Sequence, residues 1–256
     1  IFMSKKIHFL GIAGSGASAV AAIAQANGFE VSGCDKNINQ EFTKSFKKNQ
    51  LLAGHSALHL EGCSVNILAI TPAILSLDPD NDELREARKQ GIEILTWQEF
   101  LGKYLLKDKF VIAVTGTHGK STTTAMIGKL LEDGRLDPTV ELGAIVPKWG
   151  SNFRLGKSKY FVVEADEYND NFLNYIPDIA VITNIEMDHP EFFKDLNHYK
   201  ESFNKFMLNT KQTIVANISD ENITGILKTL MKESPVIVID YSKNEINFAL
   251  KVIGRH

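Results

Sequence analysis

Short apolar runs alternate with helix-like stretches along this chain, and that alternation predicts its elements. "KIHFLGI" predicts a buried strand and "SGASAVAAIAQANG" a helix closed by Gly28, while "FEVSGCD" and "SVNILAIT" predict two more strands. "PDNDELREARKQG" starts acidic, ends basic and stops on glycine, as a helix does that complements its own dipole. "IEILT" then predicts a strand and "WQEFLGKYLL" a helix. The polar stretch "LKDKF" is a boundary, and a second series follows it: "FVIAVTG", a helix over 121–132, then "YFVVEAD", "DIAVITN", "QTIVAN" and "PVIVID". "INFALKVIGRH" reads as one further strand. Repeated strand–helix alternation predicts an α/β fold with parallel sheets covered on both faces. Two such units stand in series, over residues 1–107 and 108–256.

Composition narrows the function classes. The 256 residues, 44% hydrophobic and 23% charged, suit about two globular domains. A net charge of -3 and a pI near 6.2 offer no basic face, so nucleic acid is not an expected partner. Cys34 and Cys63 stand alone, in neither a disulfide framework nor a metal-type spacing, which points to a reducing cytoplasm. The longest apolar run, "ASAVAAIAQA", is short of the roughly 18–20 residues that span a membrane, so membrane insertion is not expected. "IFMSKK" lacks the apolar core of a signal peptide, and Met3 reads as a natural start preceded by two added residues.

The chemistry concentrates in "VTGTHGKSTTT" at 114–124, directly after the apolar "FVIAV". In a phosphate loop, backbone N–H groups at a strand-to-helix turn converge on an anion, a lysine bridges phosphates and a hydroxyl ligates Mg²⁺. Gly116, Gly119, Lys120 and Ser121 supply those parts, but the general pattern wants glycine where this chain has Val114. A Thr/Gly-rich turn with an incidental GKS is the alternative. Further along, "YFVVEADE" places Glu164 at the carboxyl end of a strand, where open α/β sheets bind ligands. "DIAVITNIEMDH" places Asn184 at another strand end, with Asp188 and His189 in the loop beyond. Singly, Glu164 could cap a helix, Asp188 could pair with a lysine and His189 could be a plain loop residue before Pro190. Together, beside a phosphate loop, they make a two-metal polyphosphate site the stronger reading.

In the first unit, "GIAGSG" follows a strand, and Asp35 lies about 20 residues beyond, as a ribose-binding acid would. The spacing G-x-x-G-x-G departs from the dinucleotide fingerprint, so a nicotinamide-dependent oxidoreductase is a weak alternative.

These motifs resemble the Mur ligase family of ATP-dependent amide-forming enzymes. "TGTHGKSTTT" is similar to that family's own loop, which lacks the first glycine, and "GSNFRLGKSKYFVVEADEYNDNFL" and "AVITNIEMDH" match further family blocks in order. The resemblance implies a Rossmann-like parallel-sheet N-terminal domain followed by a P-loop-type α/β ATP-binding domain. His118 after Thr117, the E-A-D-E block and "IHFLGIAGSG" are most similar to the branch that joins L-alanine to UDP-N-acetylmuramate. A branch that recycles a tripeptide onto the same sugar shares these blocks. The resemblance implies that Gly116, Thr117, His118, Gly119, Lys120, Ser121, Thr122 and Asn184 hold ATP. Lys120, Glu164 and His189 would be catalytic. Ser121 and Glu164 would ligate one Mg²⁺ and His189 a second. It further implies that Gly11, Ala13, Ser15, Gly16, Asp35, His55, Thr71 and Asn152 serve the UDP-sugar; His55 could equally be a turn histidine. The chain departs from the family's usual "GIGG" with Ala13, and from its usual arginine with Trp97. The implied chemistry is phosphorylation of the lactoyl carboxylate, then attack of the amine on the acyl phosphate. Family members carry a third domain beyond the second. This chain, stopping at "LKVIGRH", is expected to lack it, to keep UDP-sugar binding and part of the ATP site, and to turn over negligibly as a ligase; a non-catalytic UDP-sugar-binding module is the alternative.

Overall fold

A computed structural model describes residues 5–242, and the strand expected at "INFALKVIGRH" lies outside them. The first sheet holds β1 (Lys6–Leu10), β2 (Glu30–Asp35), β3 (Leu51–Ala53), β4 (Ile67–Ile70) and β5 (Glu93–Thr96), all parallel, in the order β3-β2-β1-β4-β5. The second holds β6 (Phe110–Thr115), β7 (Thr139–Val146), β8 (Ser151–Arg154), β9 (Tyr160–Glu164), β10 (Ile179–Ile182), β11 (Thr213–Ala216) and β12 (Ile237–Asp240). Its order is β12-β11-β10-β6-β9-β7-β8, parallel except for β8, which runs antiparallel to β7 at the edge. That hairpin, β3 and the order of the strands are absent from the apolar pattern.

The helices are α1 (Ser15–Ala26), α2 (Pro72–Leu77), α3 (Asp82–Gln90), α4 (Trp97–Phe100), α5 (Lys120–Asp133), α6 (Leu196–Leu208) and α7 (Glu221–Glu233). In α3, Asn81 caps the first turn and Gly91 takes the left-handed conformation at the end, φ 67°, as the capping pattern predicts. Period-2 alternation sorts β1 cleanly. Ile7 and Phe9 join one buried cluster with α1, whereas Leu10 joins another with Leu84 and Ala87 of α3.

Helix α1 is apolar nearly all round, with every residue from 17 to 24 buried, because it is enclosed on two sides. It contacts β2 on one side and β7 and β8 of the second sheet on the other. Its alanines permit that close approach. The cluster that begins at α1 continues through Phe100, Leu101 and Leu105 to Phe161, Ile182, Phe203 and Phe206, so one core runs through both units.

The topology decides where a site can form. In the first sheet the strand order reverses beside β1, and in the second β6 lies between β10 and β9. Ligands of open α/β sheets bind outside the carboxyl ends at such switch points.

Candidate active site

Strand β6 ends at Thr115, and the chain turns at once. Gly116 has φ 130°, and a Cβ there would lie 2.2 Å from Thr183 Oγ1, so only glycine lets the loops after β6 and β10 touch. Asn184 pins the turn. Its carbonyl accepts from Thr117 N–H at 3.2 Å, its Oδ1 accepts from His118 N–H at 3.0 Å, and its Nδ2 donates to the His118 carbonyl at 3.1 Å. Gly119, φ 84°, leads into the 14-residue α5, whose first-turn N–H groups lack partners within the helix. Val114 explains the absent glycine. It is a fully buried β6 residue, paired with Glu164 and Val181, so the turn begins two residues after the position where the general pattern places it.

Around this turn the structure gathers charge. Lys120 Nζ donates to the Gly116 carbonyl at 2.8 Å and forms an ion pair with Glu167 at 3.0 Å. Glu167 is fully buried and accepts from Tyr199 OH at 3.1 Å, and Tyr199 OH lies 3.1 Å from Thr117 Oγ1. Ser121 Oγ donates to Glu164 Oε1 at 3.0 Å, while Gly143 N–H holds Glu164 Oε2 at 2.8 Å. One ligand atom each of Asp166, Glu167 and His189 lies within 4.8 Å of the others. His189 has φ 53° and its ring packs against Tyr168, with centroids 4.9 Å apart. Burial, then Glu167, pushes the Asp166 carboxyl above its ordinary range. Burial, reinforced by Glu164 and Asp166, pushes Glu141 well above it too, and Glu141 Oε2 has no hydrogen-bond partner. A surplus of acid beside one lysine is what a divalent cation would neutralise.

The residues expected at a nucleotide site therefore converge, with His118 and Thr122 exposed at the rim. Glu167, Asp166, Glu141 and Tyr199 were not singled out by the sequence. Glu167 and Asp166 lay within "VVEADE", where two acids directly after a strand end were the available signal; nothing local marks Glu141 or Tyr199.

In the first unit, Gly11 has φ 93° and a Cβ there would lie 2.7 Å from Thr71 Cγ2. Asp35 at the end of β2 accepts from Ala13 N–H at 3.1 Å, so the carboxylate holds the loop as well as facing the strand ends. A Cβ on Gly16 would lie 2.4 Å from Trp97, so this glycine admits the indole. Asn152, on β8 of the second sheet, donates to the Ser15 carbonyl at 2.5 Å and thereby joins the two units. His55 turns towards the α3 face, its Nδ1 3.3 Å from Cys34 Sγ.

Residues 114–255 match the Mur ligase middle domain, and residues 6–109 match the Mur ligase family catalytic domain. The chain is 42% identical over 229 residues to UDP-N-acetylmuramate–L-alanine ligase of Caldicellulosiruptor saccharolyticus, covering 88% of this chain and 49% of that protein. With the protein of the same description from Clostridium perfringens it shares 37% over 230 residues, at the same coverage. The solved UDP-N-acetylmuramate–alanine ligase of Thermotoga maritima superposes with a TM-score of 0.75 at 33% identity, covering 86% of this chain and 51% of that one. The Neisseria UDP-N-acetylmuramate:L-alanyl-γ-D-glutamyl-meso-diaminopimelate ligase gives 0.82 at 28%, covering 92% and 77%. The chain spans about half the length of the curated relatives it matches. Among the described residues no helix is long and apolar enough to cross a membrane.

Proposed function

This chain belongs to the Mur ligase family, and from that premise we propose that it acts in the ATP-dependent joining of L-alanine to the lactoyl carboxylate of UDP-N-acetylmuramate, in the cytoplasmic synthesis of peptidoglycan precursors. Residues 1–107 take the UDP-sugar and residues 108–256 take ATP. The observation that carries the reading is the turn after β6, clamped by Asn184, with Lys120 at its mouth paired to the buried Glu167.

The phosphates sit on the N–H groups of residues 116–122, where the N-terminus of α5 favours negative charge. Lys120 balances charge on the phosphoryl group being moved. The lactoyl carboxylate oxygen attacks the γ-phosphorus and ADP leaves. The alanine nitrogen then attacks the acyl carbon, phosphate departs and the nitrogen loses a proton. Phosphorylation is needed because a free carboxylate would have to expel oxide. The donors fit Mg²⁺, which takes oxygen ligands: Ser121 Oγ and Glu164 lie 3.0 Å apart, and Asp166 and Glu167 stand beside His189. Mg²⁺ held there would neutralise phosphate charge. On the sugar side, Gly11, Ala13, Ser15 and Gly16 face the pyrophosphate, with Asp35, His55, Thr71 and Asn152 around it.

Calorimetry with a non-hydrolysable ATP analogue and Mg²⁺ tests the nucleotide half. The native chain should bind, and Lys120→Ala should lose at least about tenfold in affinity, a difference of about 1.4 kcal/mol. Absence of binding by the native chain would reduce the reading to a sugar-binding module. For the sugar half, UDP-N-acetylmuramate should bind more tightly than UDP-N-acetylglucosamine, and equal affinities would remove the lactoyl group from the assignment. The likeness to the Neisseria ligase supports a second reading in which the amine is a tripeptide. Binding of the tripeptide and not of L-alanine, measured by calorimetry on the chain loaded with the ATP analogue and UDP-N-acetylmuramate, would favour it.

A further inference from the structure

A second group of ligating side chains lies apart from the phosphate turn, on the α3 face of the first sheet. His8 comes from the middle of β1, Cys34 from β2, His59 from the short turn Ala57–His59 and Glu83 from the first turn of α3. One ligand atom of each lies within 4.8 Å of the other three. Cys34 Sγ is 3.1 Å from Glu83 Oε2, His8 Nε2 is 3.9 Å from Glu83 Oε1, and His59 Nδ1 touches that same oxygen.

Hydrogen bonding within the group leaves one atom unsatisfied. His8 is completely buried and its Nδ1 is bonded to Ser32 Oγ at 2.8 Å, but its Nε2, aimed into the group, has no hydrogen-bond partner. Buried polar atoms are seldom left so. Burial pushes the His8 imidazole down to about 4, so the ring is neutral at ordinary pH, the form in which an imidazole ligates a metal. Burial and the Glu83 carboxylate push the Cys34 thiol upward, and a coordinated cation is what reverses such a preference, since a ligating thiol is deprotonated outright.

We propose that His8, Cys34, His59 and Glu83 form a binding site for a transition-metal ion of the Zn²⁺ type. Two imidazoles, one thiolate and one carboxylate make a four-ligand set of the hardness and number that Zn²⁺ takes, and the two anionic ligands balance its charge. With four protein ligands the site is closed, so its role is structural. It ties β1, β2, α3 and the turn at His59 together directly behind the sugar-side loop. The Cys34 carbonyl accepts from Gly11 N–H at 2.9 Å and Ile12 N–H at 3.1 Å, so an ion on Cys34 also braces that loop. His55 Nδ1, 3.3 Å from Cys34 Sγ, supports the sulfur from outside the ligand set. No local spacing betrays the site, because each ligand comes from a different element.

Cobalt reports it. The 256-residue chain, stripped with a chelator and titrated with Co²⁺, should develop the intense visible bands of a tetrahedral ion and a thiolate-to-cobalt band, saturating at one equivalent and bleached by Zn²⁺. The Asp166–Glu167–His189 group has no sulfur and cannot give the thiolate band. Cys63→Ser should retain the band and Cys34→Ser should lose it. Should Cys34→Ser fail to fold by circular dichroism, His59→Asn takes its place and should weaken Co²⁺ binding by at least about tenfold. A native chain without a thiolate band at stoichiometric Co²⁺, a band that survives in folded Cys34→Ser, or one unchanged in affinity in His59→Asn would overturn the proposal.

Discussion

Glu167 is shared between a cation and a phenol, and its burial makes both partners matter. Removing one member of a fully buried ion pair costs roughly 3–5 kcal/mol, because the other charge is left without compensation. Lys120 keeps the Gly116 carbonyl and 16% of its side-chain exposure. Glu167→Gln should therefore cost less, about 2–3 kcal/mol, by urea denaturation. An unchanged midpoint would mean that the pair contributes nothing. Glu141 behaves in the opposite sense. Its folded carboxyl holds the proton well above the usual range, while the unfolded chain releases it near about 4.3. Between those two values, folding must retain a proton that the unfolded chain has given up, so Glu141 weakens the fold progressively as pH rises. In metal-free buffer, Glu141→Gln should gain on the order of 1 kcal/mol over the native chain at about pH 8 compared with about pH 5. A stability difference that does not vary with pH would show that Glu141 ionises normally.

Among the elements, α1 is the one whose sequence most needs its setting. A helix with alanine on every side has little to bury against a single sheet, and it makes sense only where two surfaces close on it. Ala21, with no exposure, is in that enclosed stretch. Ala21→Leu should strain it by about 2 kcal/mol, lowering the thermal midpoint by roughly 4–8 °C. A tolerated leucine would mean that the helix has slack on one side. By contrast, α3 carries its start and stop in its own residues, from the Asn81 cap to the Gly91 turn.

At the scale of the whole molecule, the two units share one core. Residues of α1, Phe100 of α4, Leu101 and Leu105 just beyond it, and residues of α6 and α7 fall in a single buried cluster. Scanning calorimetry should therefore give one cooperative transition for the chain, and two resolved transitions would mean that the units unfold separately. Asn152 reinforces the junction through Ser15. Asn152→Ala should cost about 1 kcal/mol, the net worth of a typical hydrogen bond, without splitting that transition.

The strands, their alternation and the phosphate turn were legible in the chain because they depend on local order: apolar runs, caps, and a glycine–lysine–serine string after a strand. Thus β1, β2, β4, β5, β6, β9, β10, β11 and β12 were all visible, as was the convergence of Lys120, Ser121 and Glu164. The family resemblance rested on those same strings. What no local pattern carries is which strands become neighbours. The β7–β8 hairpin, the reach of Asn152 to Ser15, the burial of Glu167 against Tyr199 and the gathering of His8, Cys34, His59 and Glu83 join residues far apart in sequence. Val114 is the clearest case of the division. The sequence by itself marked it as a missing glycine. Tertiary structure placed it inside β6, where a pairing strand on each side and a packed face favour a β-branched residue, and the glycine that opens the turn is needed at 116, where two loops touch.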